Sequence, residues 1–322
     1  MKYTNDTNIS LPLAVWLAHD EYEYNSNDNT VSATALLKST RQLILASRLK
    51  EGDCPQDISS LFASKMGTAL HSAIENSWLT NYRQSMIDLG YPMGITDSVR
   101  VNPEQSDEDA IEVRLELRTE RSIGNWVITG CADMICDGAV HDFKSTKVNT
   151  FIKGNKDDDY IKQLSIYRWL NPTLICEDRG FIEFLFTDWS LISSYHVSGY
   201  PQAPVVQHPV QLMSLDSTEL FIQNKLNELT HYAGASEPEL PLCNDKELWR
   251  NPPVYQYFSN PANKKATKNF DTQLEANSYM LQKGKGEVRI KLGQAMACLW
   301  CNARTACSQY SSLLAQGLIV HK

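Results

Sequence analysis

The chain has 322 residues, of which 42% are hydrophobic and 21% charged, with a formal net charge of −8. That length sustains a full α/β core and a second lobe, and no apolar run reaches the roughly 20 residues of a membrane span. The acidic balance argues against extended duplex binding, yet Cys243 to Lys322 carries eleven Lys/Arg against five Asp/Glu, so positive charge collects near the end.

The start, MKYTNDTNISLPLAVWLAHDEY, offers one short helix, Leu11 to His19, and no small-residue cleavage site, so a cytoplasmic chain with reduced thiols is expected. The polar run Glu21 to Asn29 follows as a loop. Ser32 can cap a helix running through LLKSTRQLILASRL. Residues 59 to 79 form a second helix, with Leu61, Met66, Leu70, Ile74 and Trp78 as its apolar stripe and His71 and Glu75 one turn apart on a shared face.

The run Ile111 to Arg118 alternates apolar and charged residues as a half-buried strand does. Its glutamates, Glu112 and Glu116, are expected outward as structural residues. A strand from Trp126, a turn at Asp137-Gly138 and a strand from Ala139 then make a hairpin. Asp142 and Lys144 point to one face of the second strand, and Asp133 can reach the same space from the first. Carboxylates that gather a hard divalent cation beside a lysine suit phosphodiester hydrolysis.

Beyond Lys144 come Lys147, Lys153 and Lys156, an acidic triplet suited to a helix N-terminus, and a helix with Gln163 and Tyr167 on one face. Strands Phe181–Trp189 and Pro204–Met213 and an amphipathic helix Leu215–Tyr232 lead to a proline-bearing hinge, GASEPELPLC. Cys298, Cys301 and Cys307 crowd the last stretch, where soft thiolates select iron–sulfur or zinc. An iron–sulfur cluster needs a fourth cysteine, from among Cys54, Cys131, Cys136, Cys176 and Cys243. Tyr255, Tyr257 and Phe258, interleaved with Lys264, Lys265 and Lys268, suit either base stacking on a single strand or a small apolar core.

Five elements occur in a telling order: Gly67-Thr-Ala-Leu-His71, Gly130-Cys-Ala-Asp133, Asp142-Phe-Lys144, Gln163-Leu-Ser-Ile-Tyr167 and the late cysteines. Together they resemble the PD-(D/E)XK nuclease superfamily, in particular its RecB-like and phage exonuclease branch. The resemblance implies an α/β/α sandwich on a mixed sheet. It divides the chain into an N-terminal extension (1–30), a nuclease core (31–235) and a C-terminal cysteine-metal lobe (236–322). It further implies a Mg2+ or Mn2+ ion held by His71, Asp133, Asp142 and the Phe143 carbonyl, with Glu75 a further candidate. Lys144 would orient the attacking water, and Gln163 and Tyr167 would position substrate.

By the same resemblance Cys243, just before Trp249, joins Cys298, Cys301 and Cys307 around a [4Fe-4S] cluster. Zn2+ is the alternative metal and Cys54 the rival ligand. One departure stands out: some relatives place a cluster cysteine in the early helix, where this chain has Ser39 and Thr40. The implied activity is a metal-dependent DNA exonuclease of phage or bacterial recombination, repair or degradation. Its DNA would be single-stranded or carry free ends, contacted by Lys147, Lys153, Tyr167, Lys264 and Lys265, and a recombination protein would be a fitting partner. A non-cutting DNA- or partner-binding subunit and an endonuclease remain the alternatives.

Overall fold

The computed structural model describes residues 2–19, 29–105, 107 and 109–320. The polar run expected as a loop, Glu21 to Asn29, lies almost wholly outside them. The chain forms two compact units. One comprises Tyr3–Leu37 and Asp57–Thr230; the other is built chiefly from Lys38–Gln56 and His231–Lys322. The second unit therefore takes in an early stretch that the sequence assigns to the core.

The first unit is a mixed α/β fold on a seven-stranded sheet. Its strands are β1 (Thr30–Ser32), β2 (Val99–Val101), β3 (Ile111–Ile123), β4 (Trp126–Cys136), β5 (Ala139–Thr146), β6 (Arg179–Phe186) and β7 (Val205–Gln211). The order is β2-β3-β4-β5-β6-β7, with β1 also paired to β4. Pairs β3–β4, β4–β5 and β6–β7 are antiparallel, whereas β5–β6 is parallel. Asp137 (φ 48°) and Gly138 (φ 76°) are both left-handed, the two-residue turn that matches the twist of a hairpin.

The faces of the sheet are covered differently. Helix α2 (Asp157–Leu170) and helix α3 (Leu215–Tyr232) supply Leu164, Ile166, Trp169, Ile222 and Leu226 to the larger core, against Ile135, Val140, Ile182 and Phe184. On the other face helix α1 (Phe62–Asp88) packs Trp78, Tyr82 and Met86 against Val99, Val113, Leu115, Met134 and Phe143. No residue of α1 is fully buried, and the expected stripe of Leu61, Met66, Leu70, Ile74 and Trp78 is half-buried throughout. Of that stripe Trp78 joins the apolar cluster, which continues two turns further along through Tyr82 and Met86.

Strand β4 holds the feature that creates the site. Its first half pairs with β1 at Val127–Thr129, and its last with β5 at Met134–Cys136. Gly130 to Asp133 therefore lie where two neighbours separate, without ladder partners on that side. Opposite Asp133, Glu116 of β3 takes a left-handed φ of 45° and the β3–β4 register skips this pair. Val113 and Leu115 pack toward α1, while Leu117 packs with the α2 core. Strict alternation in sequence thus changes face at Glu116, because one residue with positive φ reverses the pleat.

The expected single helix from Ser32 is two. Ser32 caps Ala33–Leu36, and Ser39 then caps Thr40–Ser47 by accepting from Gln42 N at 3.2 Å. A serine hydroxyl that serves the next turn as N-cap stops the preceding one, and the break falls at the boundary between the units.

In the second unit, β8 (Val254–Phe258) is central to a three-stranded sheet with β9 (Lys268–Phe270) and β10 (Glu287–Lys291). Helix α4 (Gln273–Lys283) lays Tyr279 on Tyr257 and Phe270, with ring centroids 5.2 Å apart in each pair. Tyr257 and Phe258 are 1% and 4% exposed, so these rings are core and offer no stacking surface.

Candidate metal centre and thiol cavity

The sequence places Asp133 and Asp142 on adjacent strands, and the splay of β4 gives the Asp133 carboxylate a task. Its Oδ2 accepts from Phe143 N at 2.8 Å, satisfying a backbone donor beyond the end of the β4–β5 pairing. His71 arrives from α1. Its Nε2 donates to the Phe143 carbonyl at 2.9 Å, since a carbonyl only accepts. Nδ1 then faces Asp133 Oδ2 at 3.6 Å and Glu116 Oε1 at 3.7 Å.

Those two separations are too long for good hydrogen bonds, yet one small cation could bridge them at ligand distances of about 2.0–2.1 Å. His71, Glu116 and Asp133 each offer a ligand atom within 4.8 Å of the others. Glu116 is the member that reading the sequence misses. Alternation puts it outward, and no sequence pattern announces its left-handed backbone. Its other oxygen accepts from Cys131 Sγ at 3.3 Å. Neither Glu75 nor Asp142, both expected as ligands, is part of this group.

Asp142 lies at the floor, 1% exposed. Gln163 Nε2 donates to its Oδ1 at 2.9 Å and approaches the Tyr167 hydroxyl at the same distance. Oδ2 is ion-paired with Lys144, yet it is buried and has no aligned hydrogen bond. Tyr167 is 4% exposed with its hydroxyl committed to Gln163, so its ring as placed supports Asp142 and cannot also touch a nucleic acid. Gly130 makes this packing feasible: a Cβ there would stand 2.5 Å from Leu170 Cδ1 and 3.2 Å from the Tyr167 ring. Lys147 and Lys153 are exposed, in and beside the helix Val148–Lys153 that follows β5.

The electrostatics follow from crowding acids around few cations. The Glu116 carboxylate, opposed by burial and reinforced by Asp133 and the Phe143 carbonyl, lifts the His71 pKa to about 9. Burial, then the Asp142 charge, raises Asp133 above the usual carboxylate range. For Lys144 burial works against the charge, but Asp142 and Asp133 outweigh it and the pKa is raised. The His71 ring and the Lys144 ammonium are the cationic partners of these acids. A divalent cation would take over that role and displace the His71 proton.

The second unit gathers thiols. Cys243, Cys298, Cys301 and Cys307 line one cavity of about 330 Å³, solvent at its mouth included, together with Arg41 and Arg304. Cys54 is not among its lining residues; its Sγ lies 3.8 Å from the Cys301 carbonyl. Burial, then neighbouring Cys301, Cys243 and Cys307, pushes the Cys298 thiol up to about 12. Among the described residues no three cysteine sulfurs stand within 4.8 Å of one another. Four sulfurs around one zinc at about 2.3 Å would be roughly 3.8 Å apart. The cavity as it stands is therefore wider than a single-zinc tetrahedron.

Fold and site together define a mixed α/β protein with a carboxylate–histidine group of hard-metal donor chemistry. No helix of the described residues is long and apolar enough to cross a membrane. No family model matches the chain, and no curated protein does. Among solved structures it is similar to SSO0001, at 17% identity and a TM-score of 0.40, over 64% of this chain and 78% of that one. It is also similar to a phage-related exonuclease from Haemophilus somnus 129PT, at 15% identity and a TM-score of 0.28, over 49% of this chain and 68% of that one. Similarities this faint carry no weight for function, which rests on the chemistry of the residues.

Proposed function

We propose that the chain is a Mg2+- or Mn2+-dependent deoxyribonuclease that hydrolyses phosphodiester bonds from DNA ends, built on a PD-(D/E)XK nuclease core. The observation that carries this reading is Asp142, with one oxygen fixed by Gln163 and the other buried without an aligned hydrogen bond beside Lys144. A buried carboxylate is costly unless charge and hydrogen bonds meet both oxygens. Carboxylates, a carbonyl and an imidazole are suitable donors for such an ion.

His71, Glu116 and Asp133 would hold the ion, close to the Phe143 carbonyl, and Asp142 would have to turn toward them to join. When bound, it supplies a water of lowered pKa and neutralises phosphate charge. Lys144, its side chain 28% exposed, orients that water or meets a non-bridging phosphate oxygen. Gln163 and Tyr167 act on Asp142, holding its carboxylate in one orientation. Lys147 and Lys153, and in the other unit Lys264 and Lys265, are exposed cations for DNA phosphates.

For the thiol cavity we favour a [4Fe-4S] cluster on Cys243, Cys298, Cys301 and Cys307, four thiols that line it together, with Zn2+ as the alternative. Its role is to staple distant segments, with binding energy acting as folding energy.

The test is an end-labelled linear oligonucleotide with Mn2+, run beside an EDTA control and a closed circle. Mononucleotides or short products from the linear substrate alone support the reading. Asp142→Ala and Lys144→Ala should each abolish cutting while circular dichroism stays unchanged. Tight DNA binding by the wild type with no nucleotide released would favour a non-cutting binding subunit.

A further inference from the structure

Arg41 is 2% exposed, and a guanidinium so deep must find partners for five N–H donors. Nη1 donates to the carbonyls of Glu237, at 3.3 Å, and Leu240, at 3.1 Å. Nη2 donates to Ser308 Oγ at 3.2 Å and is ion-paired with the Glu237 carboxylate. These contacts tie the Thr40–Ser47 helix to two later segments, and packing alone accounts for them.

The remaining donor is different: Nε points at Cys307 Sγ, 3.2 Å away. A neutral thiol is a weak acceptor, so a buried guanidinium N–H spent on one gains little. A thiolate is a charged acceptor, and the same contact becomes a charge-assisted bond. Two other cavity sulfurs have polar partners as well. Ser39 Oγ is 3.2 Å from Cys243 Sγ, and Ala303 N donates to Cys301 Sγ at 3.4 Å. Arg304, the other cation of the cavity wall, has its Nη2 engaged with the Pro55 carbonyl. Four thiolates bring more negative charge than a dicationic centre cancels, which leaves a buried anion in need of a counter-charge.

We propose that Arg41 is a positioning residue for the thiol centre: it orients the Cys307 sulfur and supplies the counter-charge that makes a bound cluster easier to reduce and slower to lose. The inference rests on reading the cavity as a cluster site. Hydrogen bonds to cluster sulfurs and the local charge are the protein's levers on reduction potential. Glu237, which partly neutralises Arg41, sets how much positive charge the sulfur feels.

The experiment uses the full chain, reconstituted anaerobically with iron and sulfide. Iron and acid-labile sulfide are counted, the visible absorbance is followed, and the midpoint potential is titrated. Lys cannot reproduce the Nε contact, so Arg41→Lys should shift the potential negative and lower metal affinity roughly 10-fold or more. Glu237→Gln keeps the shape and leaves Arg41 less neutralised, so it should shift the potential positive. A role confined to packing would give no opposite shifts. Should Arg41→Lys fail to fold, the sign of the Glu237→Gln shift decides alone. Unchanged or same-sign potentials in a loaded protein overturn the inference while leaving the cluster reading intact. A wild type that takes up no iron removes both.

Discussion

Gln163, on a helix behind the sheet, donates to Asp142 at 2.9 Å, and the same nitrogen lies 2.9 Å from the Tyr167 hydroxyl. The catalytic candidate is therefore fixed from behind by a pair one helical turn apart. Gln163→Ala frees the carboxylate to rotate and leaves the Tyr167 hydroxyl without that partner. Partners that orient metal ligands are typically worth about 10–100-fold in affinity or activity. The expected outcome is a loss of that size in Mn2+-dependent cutting, with the Mn2+ concentration for half-activity raised. An unchanged metal requirement would show that Asp142 needs no such support.

Glu116 unites a strained backbone with a role in the site. A non-glycine residue with φ of 45° costs on the order of 1 kcal/mol. Both Glu116→Gly and Glu116→Gln remove the carboxylate that holds the His71 imidazolium, and only glycine relieves the strain. In EDTA Glu116→Gly should therefore lose less of the urea midpoint than Glu116→Gln, while Mn2+ affinity measured by calorimetry falls. Glu116→Gln should lose affinity with no gain in stability. Equal Mn2+ binding in both variants and the wild type would remove Glu116 from the metal group.

The raised His71 pKa fixes a pH window. The folded value of about 9 lies above the ordinary 6.5. The protonated ring thus contributes stability that is fully present below about 6.5 and lost as pH rises through 9. By linkage the contribution is on the order of 2–3 kcal/mol. In EDTA, the stability difference between wild type and His71→Asn should shrink from pH 6.5 to 9.5. A difference that stays constant over that range would contradict the placement of the ring between Glu116 and Asp133.

The cavity wall separates two cysteines that sequence reasoning leaves in competition. Cys243→Ser removes a lining sulfur and should lower iron per chain after reconstitution. Cys54→Ser, outside the lining, should load like the wild type. The reverse order in an iron assay would assign the fourth ligand to Cys54.

Much of the plan was legible in the one-dimensional order of residues. The Asp137-Gly138 turn, the strands either side of it and the acid-led helix bearing Gln163 and Tyr167 follow from periodicity and turn chemistry. These signals are local, and neighbouring residues are enough to produce them. Asp142 and Lys144 share a strand face for the same reason. What the linear pattern could not carry depends on contacts between distant segments. Glu116 reads as outward in a strict alternation, and only the opposing β4, splayed between two partners, shows where its backbone turns over. Ser39 reads as mid-helix until its hydroxyl caps a second helix and reaches Cys243. Local periodicity determined which elements form, whereas the approach of Glu116 to His71 and Asp133 belongs to tertiary packing, because the splay of a strand is set by partners far away in the chain.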